Sequence, residues 1–254
     1  MKVLAIIPAR MSSSRFPGKP LKKIFGKPMI YHVYNRAKLY FNNNDLFIAT
    51  CDQQIFDYSK SIGAQIIMTS KKHQRASDRV YEAMKKIEKN RNKKYDLIVL
   101  LQGDEPLINP KILKMAISPF KTDKTINVLN LMKEIKKQSE INDVNEVKVV
   151  IDKKNNALFF SRLPIPYNHS KKKMKYYKQV CVIPFRRDYL VKYSNLQQTK
   201  YEVIESIDMM RVIENEDKVK MVEIKDEVIS VDTPKDLLKA EKLIKKDKYT
   251  KLYS

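Results

Sequence analysis

The sequence predicts an α/β protein built on a doubly wound, mostly parallel sheet. Segments typical of strands and of helices alternate through the first half of the chain, which is the pattern of consecutive βαβ units. The first strand contains five consecutive apolar residues from Val3 to Ile7, as expected for a central parallel strand covered by helices on both sides. A length of 254 residues suits one large domain of this class.

The predicted elements follow one another in a regular order. In the first half they are a strand over 2–8, a helix over 28–41, a strand over 45–50, a helix over 53–61, a strand over 65–68, a helix over 77–89 and a strand over 96–101. From about 126 to 190 the pattern changes to paired β segments, with a lysine-rich link at 170–175 that we expect to be mobile. We therefore predict a single domain over 1–254, with 126–190 as an inserted, smaller β-rich lobe.

The last quarter of the chain predicts a helix, a short strand and a second helix. The first helix would present one apolar face made by Val203, Ile204, Ile207, Met210 and Ile213. A strand over 228–231 would follow, and the second helix would begin at Pro234.

The loop after the first strand has the composition of a polyphosphate-binding loop. Pro8 and Gly18 favour sharp turns, and the serines at 12–14 contribute small side chains with hydroxyl groups. Arg10, Arg15 and Lys19 place three cations on the same loop, where each can pair with a phosphate oxygen. The motifs GxxxxGK[ST] and GxGxxG are both absent, which argues against P-loop kinases and dinucleotide oxidoreductases. Spacing alone does not separate this interpretation from an ordinary basic loop.

Two acidic residues follow predicted strands and are candidates for a metal site. Asp104 comes after the apolar run 97–101, and Asp232 comes after 228–231. Ligands of open parallel sheets bind beyond the carboxyl ends of the strands, so both carboxylates are expected at the edge that carries the cationic loop. Mg²⁺ prefers one or two carboxylates together with phosphate oxygens and water. The alternative for Asp232, or for Thr233, is a capping role at the helix that Pro234 begins.

Composition leaves a second class of function open. The formal net charge of +22 suggests sequence-independent affinity for nucleic acid. The basic residues are spread along the whole chain without a nucleic-acid-binding motif, so we expect neither a nucleic-acid nor a membrane partner. Two cysteines without metal-ligand spacing, and the absence of a leader-like or long apolar segment, lead us to expect a cytoplasmic protein with reduced thiols.

Four segments together resemble the 3-deoxy-manno-octulosonate cytidylyltransferases, also called CMP-Kdo synthetases. They are IIPARMSSSRFPGKPLKKIFGKPMIYHV, LLQGDEPLI, NEVKVVIDKKNNALFFSRLPIP and SVDTPKDL. The resemblance extends over nearly the whole chain and implies the fold of the nucleotide-diphospho-sugar transferases. It also implies transfer of CMP from CTP to the anomeric hydroxyl of a 2-keto-3-deoxy sugar acid, for lipopolysaccharide or capsule synthesis, by a homodimer that pairs through the 126–190 lobe.

The resemblance assigns roles to individual residues. Arg10 and Lys19 would hold the phosphates, and Asp104 and Asp232 would bind Mg²⁺; these four are the expected catalytic residues. The expected nucleotide-binding residues are Ala9, Arg10, Ser12, Ser13, Ser14, Arg15, Lys19, His73, Ser77, Arg79 and Gln102. The expected sugar-binding residues are Gln102, Gln179 and Glu205.

The chain departs from the family pattern in the segment that the resemblance assigns to sugar binding. Gln179 stands where the family has a histidine, and Ile183 stands where it has a tyrosine. Glutamine can form a hydrogen bond but cannot titrate, and isoleucine adds only an apolar wall. The acid could therefore be 3-deoxy-manno-octulosonate, its 8-amino variant or a nonulosonate. Glu205 has an alternative as part of a solvated helix face.

Overall fold

The computed structural model describes residues 1–13 and 15–253, and the chain separates into two compact units. The first unit consists of Met1–Lys114 and the chain from Asp226 onward, and the second is Met115–Lys225. All the paired β segments expected between 126 and 190 belong to the second unit.

The first unit contains six strands and most of the longer helices. Its strands are β1 (Val3–Ala9), β2 (Lys23–Ile24), β3 (Lys27–Pro28), β4 (Leu46–Thr50), β5 (Gln65–Met68) and β6 (Leu97–Leu101). Its helices are α1 (Met29–Lys38), α2 (Gln53–Ser61), α3 (Ala76–Arg91), α4 (Pro110–Ile117), whose last residues cross into the second unit, and α10 (Pro234–Ile244). The alternation predicted for residues 2–101 is confirmed, with small shifts at the element ends.

The sheet of the first unit is parallel and changes direction next to β1. Its strand order is β5-β4-β1-β6, with Ala5 in register with Leu46 on one side and with Val99 on the other. The chain runs outward from β1 through β4 and β5, and then returns to the other side of β1 for β6. The loops that follow β1 and β6 therefore border the position where such sheets bind ligands.

The second unit is β-rich and mainly antiparallel. Its strands are β7 (Val128–Ile135), β8 (Lys148–Ile151), β9 (Ala157–Ser161), β10 (Tyr176–Val180), β11 (Val182–Arg186) and β12 (Val219–Ile224). Its helices are α5 (Pro119–Thr122), α6 (Gln138–Ile141), α7 (Arg187–Asn195), α8 (Lys200–Glu205) and α9 (Met209–Glu214). The strands run in the order β11-β7-β10-β8-β9, and β12 pairs in parallel with β7.

The predicted helix with an apolar face from Val203 to Ile213 is wrong. The structure has two short helices, α8 and α9, separated by Ser206, whose φ of 56° is left-handed and cannot continue a helix. Val203 and Ile204 are 55% and 65% exposed, so they take no part in the core.

The predicted strand over 228–231 is also wrong. This segment forms no strand in the structure. The N–H of Val231 donates to the carbonyl of Asp104 at 2.9 Å, which attaches the end of the segment to the loop after β6. Side chains that favour strands do not form one here, because most of the segment lacks a ladder partner.

No helix within the described ranges combines the length and the apolar character that crossing a membrane requires.

Candidate active site

The loops after β1 and β6 approach each other closely at the edge of the first unit's sheet. Gly103 follows β6, and a Cβ atom built there would lie 2.8 Å from the carbonyl oxygen of Pro8 in β1. Real Cβ atoms essentially never come within 3.0 Å of another heavy atom in this way. Glycine at position 103 therefore lets the chain turn directly against β1 before it reaches Asp104.

Asp104 and Asp232 meet around one ammonium group. The Nζ atom of Lys19 lies 2.6 Å from Oδ2 of Asp104 and 3.1 Å from Oδ1 of Asp232, and it also donates to the carbonyl of Val231 at 3.1 Å. Arg15 places Nη2 at 2.9 Å from the same Oδ1 of Asp232. Two carboxylates and two cations that are far apart in sequence therefore form one cluster, as the sequence predicted for the two acids and the cationic loop.

Apolar packing beneath the cluster holds its three chain segments together. Phe16 from the cationic loop, Leu107 from the segment after β6 and Val231 next to Asp232 belong to one buried core cluster. Its other buried members are Ile24, Met29, and Ala240 and Ile244 of α10. The polar side chains are therefore fixed by a common core.

The helix cap that competed with a metal-site role for Asp232 is made by other residues. Thr233 accepts a hydrogen bond from the N–H of Asp236 at 3.3 Å, and Asp236 accepts one from the N–H of Thr233 at 3.1 Å. This reciprocal capping box, with Pro234 in the first turn, begins α10. The carboxylate of Asp232 is left to face the cations.

The cluster pairs two negative side chains, Asp104 and Asp232, with two positive ones, Lys19 and Arg15. Burial by itself lowers the pKa of a lysine, but the negative charges of Asp104 and Asp232 outweigh burial and raise the pKa of Lys19 above its usual 10.5. The ammonium group is therefore fully protonated at neutral pH. A cation already stands between the two carboxylates, which is the place where a divalent ion would have to bind.

The donor set fits magnesium only together with a polyphosphate. Within the described part of the chain, no group of three or more His, Cys, Asp or Glu side chains is placed to hold a metal. Two carboxylates beside the cationic loop are the set expected for an ion that takes its remaining ligands from phosphate and water.

The cationic loop is partly bonded to itself. The N–H groups of Ser13 and Gly18 both donate to the carbonyl of Met11, at 3.0 and 2.9 Å, and the N–H of Phe16 reaches Oγ of Ser13 at 3.4 Å. These three N–H groups are therefore engaged within the loop. Gly18 has a φ of 71°, the left-handed turn expected of it.

The remaining predicted residues of this loop differ in exposure. Arg10, Ser12 and Arg15 are exposed, whereas Ala9 is buried at the end of β1. Ser14 lies outside the described residues. The exposed guanidinium groups are the part of the loop most open to phosphate.

Asp52 is a contributor to this loop that the sequence analysis missed. Its Oδ2 atom accepts a hydrogen bond from the N–H of Met11 at 2.8 Å, which connects the end of β4 to the start of the loop after β1. The signal was present in the sequence, since Asp52 is an acid immediately beyond an apolar strand.

The second predicted nucleotide-binding segment, around His73, is a supporting structure. Arg79 is 2% exposed and donates to the carbonyls of Ser70 and His73, both at 3.3 Å, and to the hydroxyl of Thr69. Ser77 is fully buried. Arg79 and Ser77 therefore help to shape the loop over 69–73, and their role in nucleotide binding stays a prediction.

His73 is bonded to Glu82 of α3 through Nε2. Glu82 also accepts from the N–H of Ser70 at 2.9 Å and pairs with Lys86 at 2.7 Å. Burial would raise the pKa of Glu82, but these bonds from Lys86, Ser70 and His73 lower it to about 2. The loop is therefore held to α3 by a carboxylate that stays ionised at neutral pH.

Gln102, the last of the predicted residues in the first unit, is half-buried directly after β6. It stands next to Gly103 and two residues before Asp104, so the same strand end positions all three residues.

The other two predicted sugar-binding residues lie in the second unit, and their side chains form hydrogen bonds with different strands. Gln179 is on β10 and its Nε2 donates to Oδ1 of Asn130 at 2.5 Å. Glu205 ends α8 and accepts from the hydroxyl of Ser161 and from the N–H of Arg162, both at 2.9 Å. Its carboxylate thus holds the end of β9, and a role in sugar binding stays a prediction.

Gln179 lies on the face of the sheet opposite to Ser161, the residue that Glu205 contacts, because successive side chains along a strand point to opposite faces. Ser161 is in register with Lys148, and Lys148 with Lys178, so this row shares one face of the sheet. Gln179 follows Lys178 and therefore points to the other face.

A family model described as "Cytidylyltransferase" matches residues 4–246 of this chain. A 3-deoxy-manno-octulosonate cytidylyltransferase of Fusobacterium nucleatum is 40% identical to it over 97% of this chain and 98% of the relative. An 8-amino-3,8-dideoxy-manno-octulosonate cytidylyltransferase of Shewanella pealeana is 36% identical, over 93% of this chain and 96% of the relative.

Among solved structures, a CMP:2-keto-3-deoxy-manno-octonic acid synthetase complexed with CTP superposes with a TM-score of 0.86 and 35% identity. The match covers 97% of this chain and 99% of that one. The similarity confirms the predicted fold class.

Proposed function

This chain belongs to the 3-deoxy-manno-octulosonate cytidylyltransferase family, and we propose that it transfers CMP from CTP to the anomeric hydroxyl of a 2-keto-3-deoxy sugar acid. The observation that carries the proposal is the meeting of Asp104 and Asp232 around Lys19, beside Arg15. The preferred acid is 3-deoxy-manno-octulosonate, and the product serves lipopolysaccharide or capsule synthesis.

In the reaction, the anomeric hydroxyl of the sugar loses its proton to solvent and its oxygen forms a bond to the α-phosphorus of CTP. The bond from that phosphorus to the bridging oxygen of the β-phosphate breaks, and pyrophosphate leaves with the electron pair. Both reactants are anions, so their mutual repulsion and the charge that develops on the leaving group dominate the barrier. Arg10, Arg15 and Lys19 are the residues of the first unit that supply positive charge to the triphosphate.

Asp104 and Asp232 are the residues that would hold Mg²⁺. Bound there together with the triphosphate, the ion would neutralise phosphate charge and lower the pKa of the attacking hydroxyl. Lys19 would then exchange its carboxylate partners for phosphate oxygens. This scheme needs no histidine as a base.

Three further expectations belong to the proposal. Besides Arg10, Arg15 and Lys19, the residues predicted to line the nucleotide are Ala9, Ser12, Ser13, Ser14, His73, Ser77, Arg79 and Gln102. Those predicted to line the sugar are Gln102, Gln179 and Glu205. The chain is predicted to be a homodimer that pairs through residues 126–190, which light scattering in solution measures. Within the described residues Cys51 and Cys181 are thiols and form no disulfide, which supports a reducing compartment such as the cytoplasm.

A pyrophosphate-release assay tests the activity. Wild type is incubated with Mg²⁺ and either CTP or UTP, together with 3-deoxy-manno-octulosonate, its 8-amino variant or a sialic-type acid. We expect release only when CTP and one of the octulosonates are both present. We expect Asp104→Asn and Asp232→Asn to abolish it, and Asp188→Asn, whose side chain is 91% exposed, to leave it unchanged.

Two results would count against the proposal. One is a lack of pyrophosphate with every acid. The other is wild-type turnover by Asp104→Asn. Salt-sensitive binding to DNA or RNA that survives both substitutions would favour the nucleic-acid alternative suggested by the charge of +22.

A further inference from the structure

A pair of amide side chains joins β7 and β10 of the second unit. Asn130 is fully buried in β7, between the apolar residues Leu129 and Leu131. Gln179 is half-buried in β10, directly opposite Met132, so Asn130 lies two residues along on the same face. The two side chains bond through Nε2 of Gln179 and Oδ1 of Asn130, 2.5 Å apart.

The surroundings of Asn130 fix which of its amide atoms faces Gln179. Its Nδ2 donates to the carbonyls of Leu131 at 3.0 Å and Val180 at 2.7 Å. Both partners are backbone oxygens, which can only accept, so the amide cannot be turned over without burying three acceptors against one another. Oδ1 of Asn130 is therefore always the atom presented to Gln179, and it can only accept.

The fixed orientation of the Asn130 amide also fixes the orientation of the Gln179 amide. Because Oδ1 of Asn130 accepts, Gln179 has to direct its Nε2 toward it, and Oε1 of Gln179 faces away. Among the described residues, Oε1 of Gln179 has no hydrogen-bond donor. A glutamine that was free to turn could exchange the positions of its carbonyl oxygen and its NH₂ group, but this one holds Oε1 in one fixed direction, with only the second N–H of Nε2 left as a donor.

We propose that Asn130 is a positioning residue that locks Gln179 with its carbonyl oxygen toward the sugar acid, so that the pocket selects an acid with a hydrogen-bond donor at that point. The inference rests on the proposed function and on the place of Gln179 in the sugar pocket. A hydroxyl or an ammonium group satisfies the carbonyl oxygen. A hydrogen or fluorine atom in place of that hydroxyl leaves the oxygen without a donor.

The proposal predicts the behaviour of both 3-deoxy-manno-octulosonate and its 8-amino variant as substrates. A neutral amide does not repel an ammonium group, and hydrogen bonds that involve a charged group are the stronger ones. We therefore expect the pocket to accept a sugar acid in which the hydroxyl that meets Gln179 is replaced by an amino group, and to discriminate against the corresponding deoxy analogue.

A double-mutant cycle of Michaelis constants tests whether Asn130 positions Gln179. Gln179→Ala, Asn130→Ala and the double variant are compared with wild type for the Michaelis constants of both substrates, the sugar acid 3-deoxy-manno-octulosonate and CTP. Each single variant should raise KM for the sugar acid about three- to tenfold, the effect of one hydrogen bond, and leave KM for CTP unchanged. The double variant should resemble Gln179→Ala alone, because Asn130 acts only through Gln179.

A matched pair of residues provides the control. Gln138 and Asn142 form the same kind of contact on the surface, with Nε2 and Oδ1 3.5 Å apart. Gln138→Ala and Asn142→Ala should leave both KM values unchanged. Two results would overturn the positioning role of Asn130. One is a double variant in which the effects of the two single substitutions multiply, and the other is an equal rise of KM for the sugar acid and for CTP.

Substrate analogues identify the sugar group that meets Gln179. In a panel of 3-deoxy-manno-octulosonate analogues that each lack one further hydroxyl, wild type should lose about three- to tenfold in kcat/KM with one of them. Gln179→Ala should lose nothing further with that same analogue. An equal loss in wild type and Gln179→Ala for every analogue contradicts the proposal.

A measurement without substrate separates the lock from the proposed function. In wild type, one side-chain NH₂ proton of Gln179 should exchange slowly with solvent because Asn130 holds it, and Asn130→Ala should speed that exchange. If no acid is turned over but Asn130→Ala changes the exchange, the proposed function fails while the lock stands. If the exchange of the Gln179 protons is the same in wild type and Asn130→Ala, the lock is refuted whatever the activity.

Discussion

Substituting Gly103 with alanine tests whether the close approach of two strand ends sets the position of Asp104. The new Cβ atom would meet the carbonyl oxygen of Pro8 at 2.8 Å, whereas ordinary van der Waals contact begins at 3.4 Å. The distance between the Cβ atom of residue 103 and the carbonyl oxygen of Pro8 therefore has to increase by about 0.6 Å. The obstacle is backbone oxygen in a central strand, so most of the movement falls on the loop that carries Asp104.

The expected loss can be given a magnitude. Overpacking of this kind destabilises a protein by about 1–3 kcal/mol. For a chain of this length each kcal/mol lowers Tm by about 2–4 °C, so we expect Tm to fall by about 2–12 °C. Catalytic groups have to be held within about 0.5 Å, and a displacement of about 1 Å lowers rates about a hundredfold, so kcat should fall at least tenfold.

Gly63→Ala is the matched control for this experiment. Gly63 lies in the turn after α2 with a φ of 70°, and nothing lies within 4 Å of a Cβ atom built there. Its left-handed backbone makes alanine unfavourable by about 1–2 kcal/mol, without any movement near Asp104. Calorimetry and the pyrophosphate assay should show a lower Tm and normal kcat for Gly63→Ala, but a lower Tm and reduced kcat for Gly103→Ala. Wild-type kcat in Gly103→Ala would refute the reasoning.

Three further substitutions address charge and stability. Lys19→Met leaves two carboxylates facing each other, so Mn²⁺ titration without nucleotide should show tighter binding than in wild type while CTP turnover is lost; unchanged Mn²⁺ affinity would contradict the placement of Lys19. The pKa of Glu82 is lowered to about 2, so its contribution to stability is complete above its usual 4.5 and disappears as pH falls toward 2. Glu82→Gln should therefore lower Tm at pH 6 and flatten the fall of Tm below pH 4.5, and parallel curves for the two proteins would count against it. Arg211→Met leaves Glu202 buried without the guanidinium that it contacts at 2.6 and 2.8 Å. Urea unfolding should show a loss of about 3–5 kcal/mol in the free energy of unfolding. A change of only about ±0.5 kcal/mol, as for ordinary surface substitutions, would disprove this.

The sequence predicted the parts of the fold that depend on local pattern. Apolar runs such as 97–101 and alternating helices are dictated by residues that are neighbours in the chain, and these elements are confirmed. The segment 228–231 has the same local character, yet it forms no strand, because strand formation also needs a partner that the sequence does not reveal. The left-handed Ser206 likewise divides a segment whose apolar spacing resembled one helix.

The candidate site was predictable in its charges but not in its contacts. The fold rule for strand ends placed Asp104 and the cationic loop at one edge, as the structure shows. Asp232 joins them as expected, although the strand predicted before it does not form. The packing of Gly103 on Pro8 depends on tertiary distances and leaves no pattern in the sequence. The sequence shows Asp52 as an acid beyond a strand, but it does not show that Met11 is its partner. The pairing of Asn130 with Gln179 depends in the same way on strand register.

The core cluster of Phe16, Leu107 and Val231 has a practical consequence for mutational surveys of this enzyme. A survey that scores lost turnover would mark these apolar positions as if they took part in chemistry, although none of them carries a reactive group. Shortening any of them loosens the common anchor of three segments that carry Lys19, Asp104 and Asp232. Such variants would still fold and bind CTP weakly, and raising the Mg²⁺ concentration should restore part of their rate, unlike that of Asp104→Asn.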